Sequence, residues 1–413
     1  MAASLITNIK LLVNTRQEIK LLRGKELAEL PCIENAYLII EDGVITDYGQ
    51  MQNCKWSDDQ FGLSVDATGQ LVLPAWCDSH THLVFAASRE EEFVDKIRGR
   101  SYTEIAAKGG GILNSARKLN AASESELLRL AWGRLNEVMQ LGTGAIEIKS
   151  GYGLSAEGEL KMLWVIKKLK ETSPIPVKAT FLGAHTYPPE YKENHRGYID
   201  IIINDMLPVI AKEKLADYID VFCETGFFST EETENICRAG MAYGLKPKIH
   251  ANQLNLSGGV QTGVKLGALS VDHLETMDEQ TIRELANSQT IGTLLPTAAF
   301  YLGMPFQPAR QLIDAGCAIA LASDYNPGSS PSGNMNLVVS MSCIRMKMLP
   351  EEAINAATIN GAFAMELQKE VGSITVGKKA NLIFTKPAPS LAYLPYAFGS
   401  NLIDKVMIAG EWL

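Results

Sequence analysis

The stretch LVLPAWCDSHTH, residues 71–82, decides the fold because an apolar run leads directly into two histidines. A run this apolar is typical of a parallel strand that is covered on both faces. His80 and His82 are two residues apart, so on a strand both imidazoles project to the same face. Taken alone, the pair could also be two polar residues at a strand end. The later strands decide between these interpretations.

Seven further apolar runs follow, and stretches with helical periodicity separate them. In one such stretch, 123–142, Ser123 and Glu126 form a capping box and Gly142 stands where the helix should stop. Eight strand–helix units close a TIM barrel, although a doubly wound open sheet also fits the pattern. The seven runs are GAIEIKS (144–150), VKATFLGAHT (177–186), IDVFCET (219–225), PKIHAN (247–252), ALSVDH (268–273), IGTLLP (291–296) and AIALASDY (318–325).

Both ends of the chain differ from this alternating middle. AYLIIEDGVITDYG (36–49) consists of two apolar runs around Glu-Asp-Gly, which predicts a hairpin. GSITVGKKANLIFT (372–385) and DKVMIAGEWL (404–413) are short β-branched runs separated by glycine turns. We therefore predict a (β/α)8 barrel over 71–365 and a small β-sandwich domain built from 1–70 and 366–413.

The composition is that of an ordinary globular protein, with 46% hydrophobic and 21% charged residues. Thirty-eight basic against 47 acidic side chains give a net charge of −9, which argues against a nucleic-acid partner. No run approaches the ~18 apolar residues that a membrane span needs. The N-terminus also lacks the apolar core of a signal peptide. We expect a cytosolic protein without a membrane partner.

The seven cysteines are widely spaced and form no CxxC pair. This pattern predicts reduced thiols rather than disulfides or a thiolate zinc site. A bound metal would therefore be held by histidines and carboxylates.

Polar residues concentrate at the predicted strand ends, which is where TIM barrels place their functional groups. Five of the six histidines fall there, and only His195 does not. Three imidazoles and a carboxylate suit Zn²⁺ or iron, and a site with an open position activates water. The strand-end residues are His80, His82, Lys149, His185, Glu224, His250, His273 and Asp324.

Several longer motifs resemble the amidohydrolase superfamily and, within it, the imidazolonepropionases of histidine degradation. The likeness spans nearly the whole chain. The motifs are HTHLVFAASRE (80–90), GGGI (109–112), EIKSGYGL (147–154), FLGAHTYPPEY (181–191), HANQ (250–253) and SDYNPGSS (323–330). The resemblance implies a metal-dependent hydrolase that opens the ring C–N amide bond of 4-imidazolone-5-propanoate and yields N-formimidoyl-L-glutamate.

The resemblance also implies the metal site. Its ligands match His80, His82, His250 and Asp324, which would hold one Zn²⁺ or Fe³⁺ per subunit. Relatives with two metals use a carboxylated lysine at the end of strand four, where this chain has Phe-Cys-Glu (222–224). Lys149 ends strand two instead and is expected to form an ion pair.

The substrate-binding residues are likewise implied by the resemblance. Arg89 matches the arginine that binds the propanoate, and a guanidinium can hold a carboxylate through two hydrogen bonds. The run Gly109–Gly111 is expected to be either a mobile lid or a plain flexible loop. The other substrate-binding positions are Tyr152, His185, Gln253, Asn326, Gly328 and Ser329.

For catalysis, His273 is expected to polarise the ring carbonyl or to handle a proton, and Asp324 to accept the proton from water. Some members of the family carry Glu at the position of Gln253, and that Glu has been assigned as the base. Glutamine cannot take a proton, so Gln253 keeps a substrate-binding role and the identity of the base stays open.

Two alternatives stay open at this stage. One is a different amidohydrolase, such as a deaminase of a cyclic amidine, which would not need Arg89. The other is a catalytically inactive barrel that serves as a scaffold, against which the four retained ligands argue. Among partners we expect a small-molecule substrate and allow for a homodimer.

Overall fold

Segments from both ends of the chain form one mixed sheet in the computed structural model, which describes residues 3–100, 104 and 110–413. The N-terminal strands are β1 (Ser4–Val13), β2 (Cys32–Glu41), β3 (Val44–Gln50), β4 (Leu63–Asp66) and β5 (Leu71–Pro74). The C-terminal strands are β14 (Leu382–Thr385), β15 (Ile403–Ile408) and β16 (Glu411–Trp412). The strand order is β16-β15-β14-β5-β1-β2-β3, and β4 pairs with β1. The prediction that both termini build a small sheet domain beside the barrel is thereby confirmed, and the domain bounds 1–70 and 366–413 stay a prediction.

The predicted hairpin at 36–49 is the turn between β2 and β3. Asp42 and Gly43 there have φ angles of 49° and 79°. A Cβ on Gly43 would lie 2.4 Å from the carbonyl oxygen of Ala409. Glycine is therefore required both for the left-handed conformation and for the close contact with the C-terminal hairpin.

The barrel is built from eight parallel strands, and each one pairs with the next along the chain. Backbone hydrogen bonds close it, because Asp324 N–H donates to His80 O at 3.0 Å and His82 N–H donates to Tyr325 O at 2.9 Å. The TIM-barrel prediction is confirmed, and the open-sheet alternative is wrong. The strands are β6 (Trp76–Thr81), β7 (Thr143–Lys149), β8 (Val177–Ala184), β9 (Tyr218–Cys223), β10 (Lys246–Ala251), β11 (Ser270–His273), β12 (Ile291–Leu294) and β13 (Ile319–Leu321).

Residues 71–82 do not form a single barrel strand, contrary to the prediction. Leu71–Pro74 belongs to the terminal sheet, where it pairs with β1 and β14. Ala75 N–H still donates to Asn381 O in that sheet, whereas Trp76 N–H donates to Gly142 O in the barrel. Both strands are buried on both faces, so the apolar run continues across the change of sheet.

Helices follow the barrel strands. The predicted helix at 123–142 is α3, and Ser123 Oγ accepts a hydrogen bond from Glu126 N–H at 3.2 Å as its N-cap. The helices are α1 (Glu90–Ile97), α2 (Ile112–Ala121), α3 (Glu124–Gln140), α4 (Ala156–Thr172), α5 (His195–Ile201), α6 (Leu207–Glu213), α7 (Thr230–Ala242), α8 (Gly259–Leu266), α9 (Glu279–Ala286), α10 (Pro296–Leu302), α11 (Ala309–Asp314), α12 (Met335–Met346), α13 (Pro350–Ala357), α14 (Ile359–Ala364) and α15 (Tyr393–Tyr396).

A π-helical segment, Ile202–Met206, joins α5 to α6. Short 3-10 segments lie at Gly24–Ala28, Met51–Asn53, Asp58–Gln60 and Pro189–Tyr191. Within the described residues, every helix is too short or too polar to cross a lipid bilayer.

Candidate active site

Three buried histidines converge at the C-terminal mouth of the barrel. His80 and His82 lie at the end of β6, and His250 is on β10. Their candidate ligand nitrogens all lie within 4.8 Å of one another, and the two Nε2 atoms of His82 and His250 are 3.4 Å apart. Asp324, just after β13, places Oδ1 3.5 Å from His80 Nε2 and 3.7 Å from His82 Nε2. The four expected ligands are thus brought together.

Each of the three histidines is held through its Nδ1 atom, which leaves Nε2 facing the common centre. His80 Nδ1 lies 2.7 Å from Asp272 Oδ2, and His250 Nδ1 lies 2.9 Å from Asp220 Oδ2. His82 Nδ1 is 3.3 Å from the backbone carbonyl that follows β7. An acceptor at Nδ1 keeps the proton there and leaves the lone pair of Nε2 for the common centre.

The protonation state of this cluster suits a metal ion. Burial holds the pKa of His80, His82 and His250 well below the ordinary histidine value, and nearby positive charges lower it further. His80 Nε2 is buried and has no hydrogen-bond partner among the described residues. A buried polar atom without a partner is costly unless it binds something. Neutral imidazoles and a carboxylate therefore fit a metal ion at this position.

A network of buried charges lies beneath the histidines. Lys149 Nζ, fully enclosed at the end of β7, is 2.7 Å from Glu147 Oε1 and 2.8 Å from Asp220 Oδ2. Lys248 Nζ on β10 pairs with the other oxygen of Glu147. The ion pair expected for Lys149 is present, but it lies inside the barrel, in contact with a carboxylate that holds a ligand histidine.

His273 ends β11 in a strained backbone conformation. Its φ angle is 90°, and its ring centroid is 5.7 Å from that of His80 and 5.2 Å from that of His250. His273 Nδ1 lies 3.4 Å from Glu275 Oε1. Burial by itself lowers the pKa of His273, but the carboxylates of Glu275, Asp324 and Asp272 outweigh it and raise that pKa above its ordinary value. The ring can therefore carry a proton beside the metal site.

The position of Asp324 is fixed by the residue before it. Asp78 accepts hydrogen bonds from the backbone N–H and the hydroxyl of Ser323, at 3.0 and 2.6 Å. Burial raises the pKa of Asp324 to about 6. A carboxyl group with this pKa can exchange a proton near neutral pH.

The loop after β10 carries Gln253 and is held by Glu224. This carboxylate accepts from the backbone N–H of Thr225 and of Leu254, both at 2.8 Å. Glu224 thus anchors the loop that carries Gln253. The Gln253 side chain is largely buried, and it makes no hydrogen bond within the described part of the chain.

Arg89 lies beside the histidine cluster with part of its guanidinium unused. Its Nε donates to Ser115 Oγ on α2 at 2.8 Å, while Nη2 is buried without a partner among the described residues. The guanidinium carbon is 5.9 Å from the centre of the Tyr152 ring. A Cβ on Gly328 would lie 2.5 Å from Arg89 Nη1, so glycine leaves room for the guanidinium.

Aromatic rings form one side of the mouth. The rings of His185 and His82 stack with centroids 5.4 Å apart, and Tyr152 meets both edge-on. His185 Nδ1 is 2.9 Å from Gly151 O, and burial lowers the pKa of His185 to about 4. Because Nδ1 donates to this carbonyl, His185 is a neutral ring that can stack and accept a hydrogen bond through Nε2.

The side chain of Asn326 is engaged within its own loop. Its Oδ1 accepts from the N–H groups of Gly328 and Ser329, both at 2.8 Å, and its Nδ2 donates to Asp324 O at 2.6 Å. Ser329 Oγ lies 3.3 Å from Asp324 Oδ2. Asn326 thus shapes the loop, and the Ser329 hydroxyl faces the ligand carboxylate.

The family-level comparisons agree with this site. The model of the amidohydrolase family matches residues 212–413. A protein of Flavobacterium johnsoniae named imidazolonepropionase is 60% identical over 99% of each chain. A relative of the same name from Christiangramia forsetii is 56% identical over 98% of this chain and 99% of its own. The chain belongs to the imidazolonepropionase family.

Solved structures of lower identity share the fold alone. Guanine deaminase of E. coli superposes with a TM-score of 0.73 at 14% identity, over 100% of this chain and 98% of that one. An adenosine deaminase from Xanthomonas campestris with bound zinc gives 0.68 at 16% identity, over 99% of this chain and 92% of that one. These deaminases share the architecture of this chain. At this level of identity, the likeness does not assign their activity to it.

Sequence reasoning missed the residues that hold the functional side chains of this imidazolonepropionase site. Asp220, Asp272, Glu275 and Ser115 were not expected to contribute, and each contacts a histidine or Arg89. A usable signal was present for two of them, because aspartates inside apolar parallel strands must be paired. Of the predicted lid, Gly109 lies outside the described residues, and Gly111 N–H donates to Glu92 Oε1 at 2.9 Å.

Proposed function

We propose that this chain hydrolyses the ring C–N amide bond of 4-imidazolone-5-propanoate to N-formimidoyl-L-glutamate, as a step of histidine degradation. The single observation that carries the proposal is the 60% identity over 409 residues to a relative named imidazolonepropionase. The arrangement at the barrel mouth supports it, because the same mouth holds a histidine cluster that could bind a metal and Arg89, whose Nη2 has no hydrogen-bond partner among the described residues.

The proposed cofactor is one Zn²⁺ or Fe³⁺ per subunit, held by His80, His82, His250 and Asp324. Such an ion supplies Lewis acidity and makes water nucleophilic at neutral pH when it is bound. A second ion is not proposed, because β9 ends in Cys223 and Glu224, and the latter already accepts hydrogen bonds from a loop.

The substrate would be oriented by its two ends. The free edge of the Arg89 guanidinium would take the propanoate through paired hydrogen bonds, as its fork geometry allows. The ring would lie against Tyr152 and His185. The Gln253 amide would hold a polar edge of the ring, and Gly328 with Ser329 would border the other side.

Two side chains would handle the protons. Asp324, whose carboxylate lies beside His80 and His82, would accept the proton of the attacking water. Protonated His273 would donate to the carbonyl oxygen as charge develops on it, or give its proton to the departing ring nitrogen. The oxygen of water then bonds to the carbonyl carbon, the C–N bond breaks, and the nitrogen leaves with a proton.

The test is direct turnover with purified protein that has been supplied with metal. We expect the absorbance of 4-imidazolone-5-propanoate to fall while mass spectrometry detects N-formimidoyl-L-glutamate. No turnover by the metal-loaded protein would contradict the proposal. Ammonia release from cyclic amidines without ring opening would support the deaminase alternative instead.

A cytoplasmic location is part of the proposal and is supported by the free state of all seven cysteines. The sequence also allows for a homodimer. This stays a prediction, and size-exclusion chromatography with light scattering can test it.

A further inference from the structure

Lys149 contacts the two carboxylate oxygens that hold metal-site histidines. Asp220 Oδ2, 2.8 Å from Lys149 Nζ, is the oxygen that accepts from His250 Nδ1. Asp272 Oδ2, 3.5 Å from Nζ, is the oxygen that accepts from His80 Nδ1. One ammonium group is therefore shared between the supports of two ligands that come from different strands.

The contacts of this ammonium within the described residues indicate no other function. The side chain of Lys149 is 0% exposed, so it cannot meet substrate in solution or a partner. Its third carboxylate neighbour is Glu147, at 2.7 Å, and an ammonium has three N–H groups to donate. Two of these donors go to Glu147 and Asp220, and Asp272 is an ion-pair contact at 3.5 Å.

We propose that Lys149 is a positioning residue for the metal: its ammonium holds the carboxylates of Asp220 and Asp272 in the orientation in which they accept hydrogen bonds from His250 and His80. The inference rests on the metal site of the proposed function. Buried like charges cannot all stay ionised without a counter-charge, because removal from water penalises each of them.

The positive charge of Lys149 is consistent with this role. Burial by itself lowers the pKa of Lys149, but Asp220, Glu147 and Asp272 outweigh it and raise that pKa above its ordinary value. The ammonium is thus permanently charged at physiological pH. Without it, the two carboxylates would lose their shared contact, and the orientation of His250 and His80 would be less well defined.

The experiment measures metal affinity on chelator-stripped protein, so it does not depend on turnover. Zn²⁺ affinity is determined by competition with a chromophoric chelator, and the Co²⁺-loaded protein is examined by visible absorption, which reports ligand geometry. We expect Lys149→Met to weaken Zn²⁺ binding roughly 10–100-fold, the usual effect of losing a residue that orients metal ligands, and to change the Co²⁺ bands.

Lys378→Met is the matched control. Lys378 is also a buried lysine, but it donates to Val371 O and Ser373 Oγ near the terminal sheet. This variant should lose thermal stability without a change in metal affinity or Co²⁺ spectrum.

Wild-type affinity and spectrum in Lys149→Met, with only a lower melting temperature, would overturn the inference and leave Lys149 as a structural ion pair. Should Lys149→Met fail to fold, Lys149→Gln, which keeps a donor of similar length, decides by the same measurements. Absence of tight Zn²⁺ or Fe binding by the wild type would instead contradict the metal site itself, so the two failures are distinguishable.

Discussion

At the scale of single residues, Arg89 is the group on which substrate choice depends. Its guanidinium has one edge fixed by Ser115 and another buried without a partner among the described residues. We expect Arg89→Ala to lower kcat/KM roughly 30- to 1,000-fold. This corresponds to a loss of about 2–4 kcal/mol of transition-state stabilisation, as for other desolvated charge pairs. Steady-state kinetics with the propanoate substrate measures this.

Two comparisons make that prediction specific. Arg117→Ala, on an exposed position of the same helix as Ser115, should leave kcat/KM unchanged. An analogue without the carboxylate should be a poor substrate whose turnover does not respond to Arg89→Ala. Equal losses on both substrates would show that Arg89 is structural.

Glu275 should determine the pH range over which His273 works. Its carboxylate helps to raise the pKa of His273, so Glu275→Gln should lower that pKa. A general acid with a lower pKa loses its proton at lower pH, and the alkaline limb of the kcat profile should therefore move to lower pH. An unshifted limb, measured at equal metal content, would mean that His273 is not the acid.

Gln253 and His273 should differ in how much they contribute to kcat. Glutamine cannot exchange a proton, so Gln253→Glu should stay active, whereas His273→Ala should lower kcat by roughly 10²–10⁴. Both variants are compared by kcat with the same metal loading. If Gln253→Ala abolished turnover while His273→Ala left it nearly intact, the proton route proposed above would be wrong.

At the scale of elements, the sequence predicts the barrel well because each of its strands is a short apolar run followed by a helical period. It cannot predict where the chain passes from the terminal sheet to the barrel inside residues 71–82, because β5 and β6 are both buried on both faces. The same limit applies to the site. His80 and His82 are visible from their spacing, but the pairing of His80 with Asp272 joins residues 192 positions apart.

The packing of α14 against β6 allows a stability prediction. A Cβ on Gly361 would lie 2.3 Å from the backbone oxygen of Cys77, which cannot move aside. Gly361→Ala should therefore lower the free energy of unfolding by about 1–3 kcal/mol, the usual cost of overpacking. Urea denaturation followed by circular dichroism measures it.

Gly133→Ala is the matched control on α3. None of the described residues places an atom within 4 Å of a Cβ at Gly133, and the residue is exposed in a helix interior. Alanine should stabilise the protein by about 0.5–1 kcal/mol there because it restricts the unfolded backbone. A Gly361→Ala variant as stable as Gly133→Ala would contradict the close contact between α14 and β6.

At the scale of the whole molecule, the four ligands should make the protein a one-metal enzyme. Elemental analysis should find about one Zn or Fe per chain, and His80→Ala or Asp324→Asn should remove most of the metal and most activity. Two tightly bound ions per chain, or full activity after exhaustive chelation, would contradict the mononuclear site.

The closure of the barrel has a consequence for biosynthesis. Asp324 is one of the four proposed ligands, and its backbone N–H also donates the hydrogen bond that connects the segment after β13 to His80. The last strand therefore closes the barrel and completes the site at the same time. At ordinary rates of translation, His80 leaves the ribosome on the order of ten seconds or more before Asp324 does. The nascent chain would thus carry His80 and His82 long before the other two proposed ligands are made, and we expect metal loading to be one of the last events in the maturation of the protein.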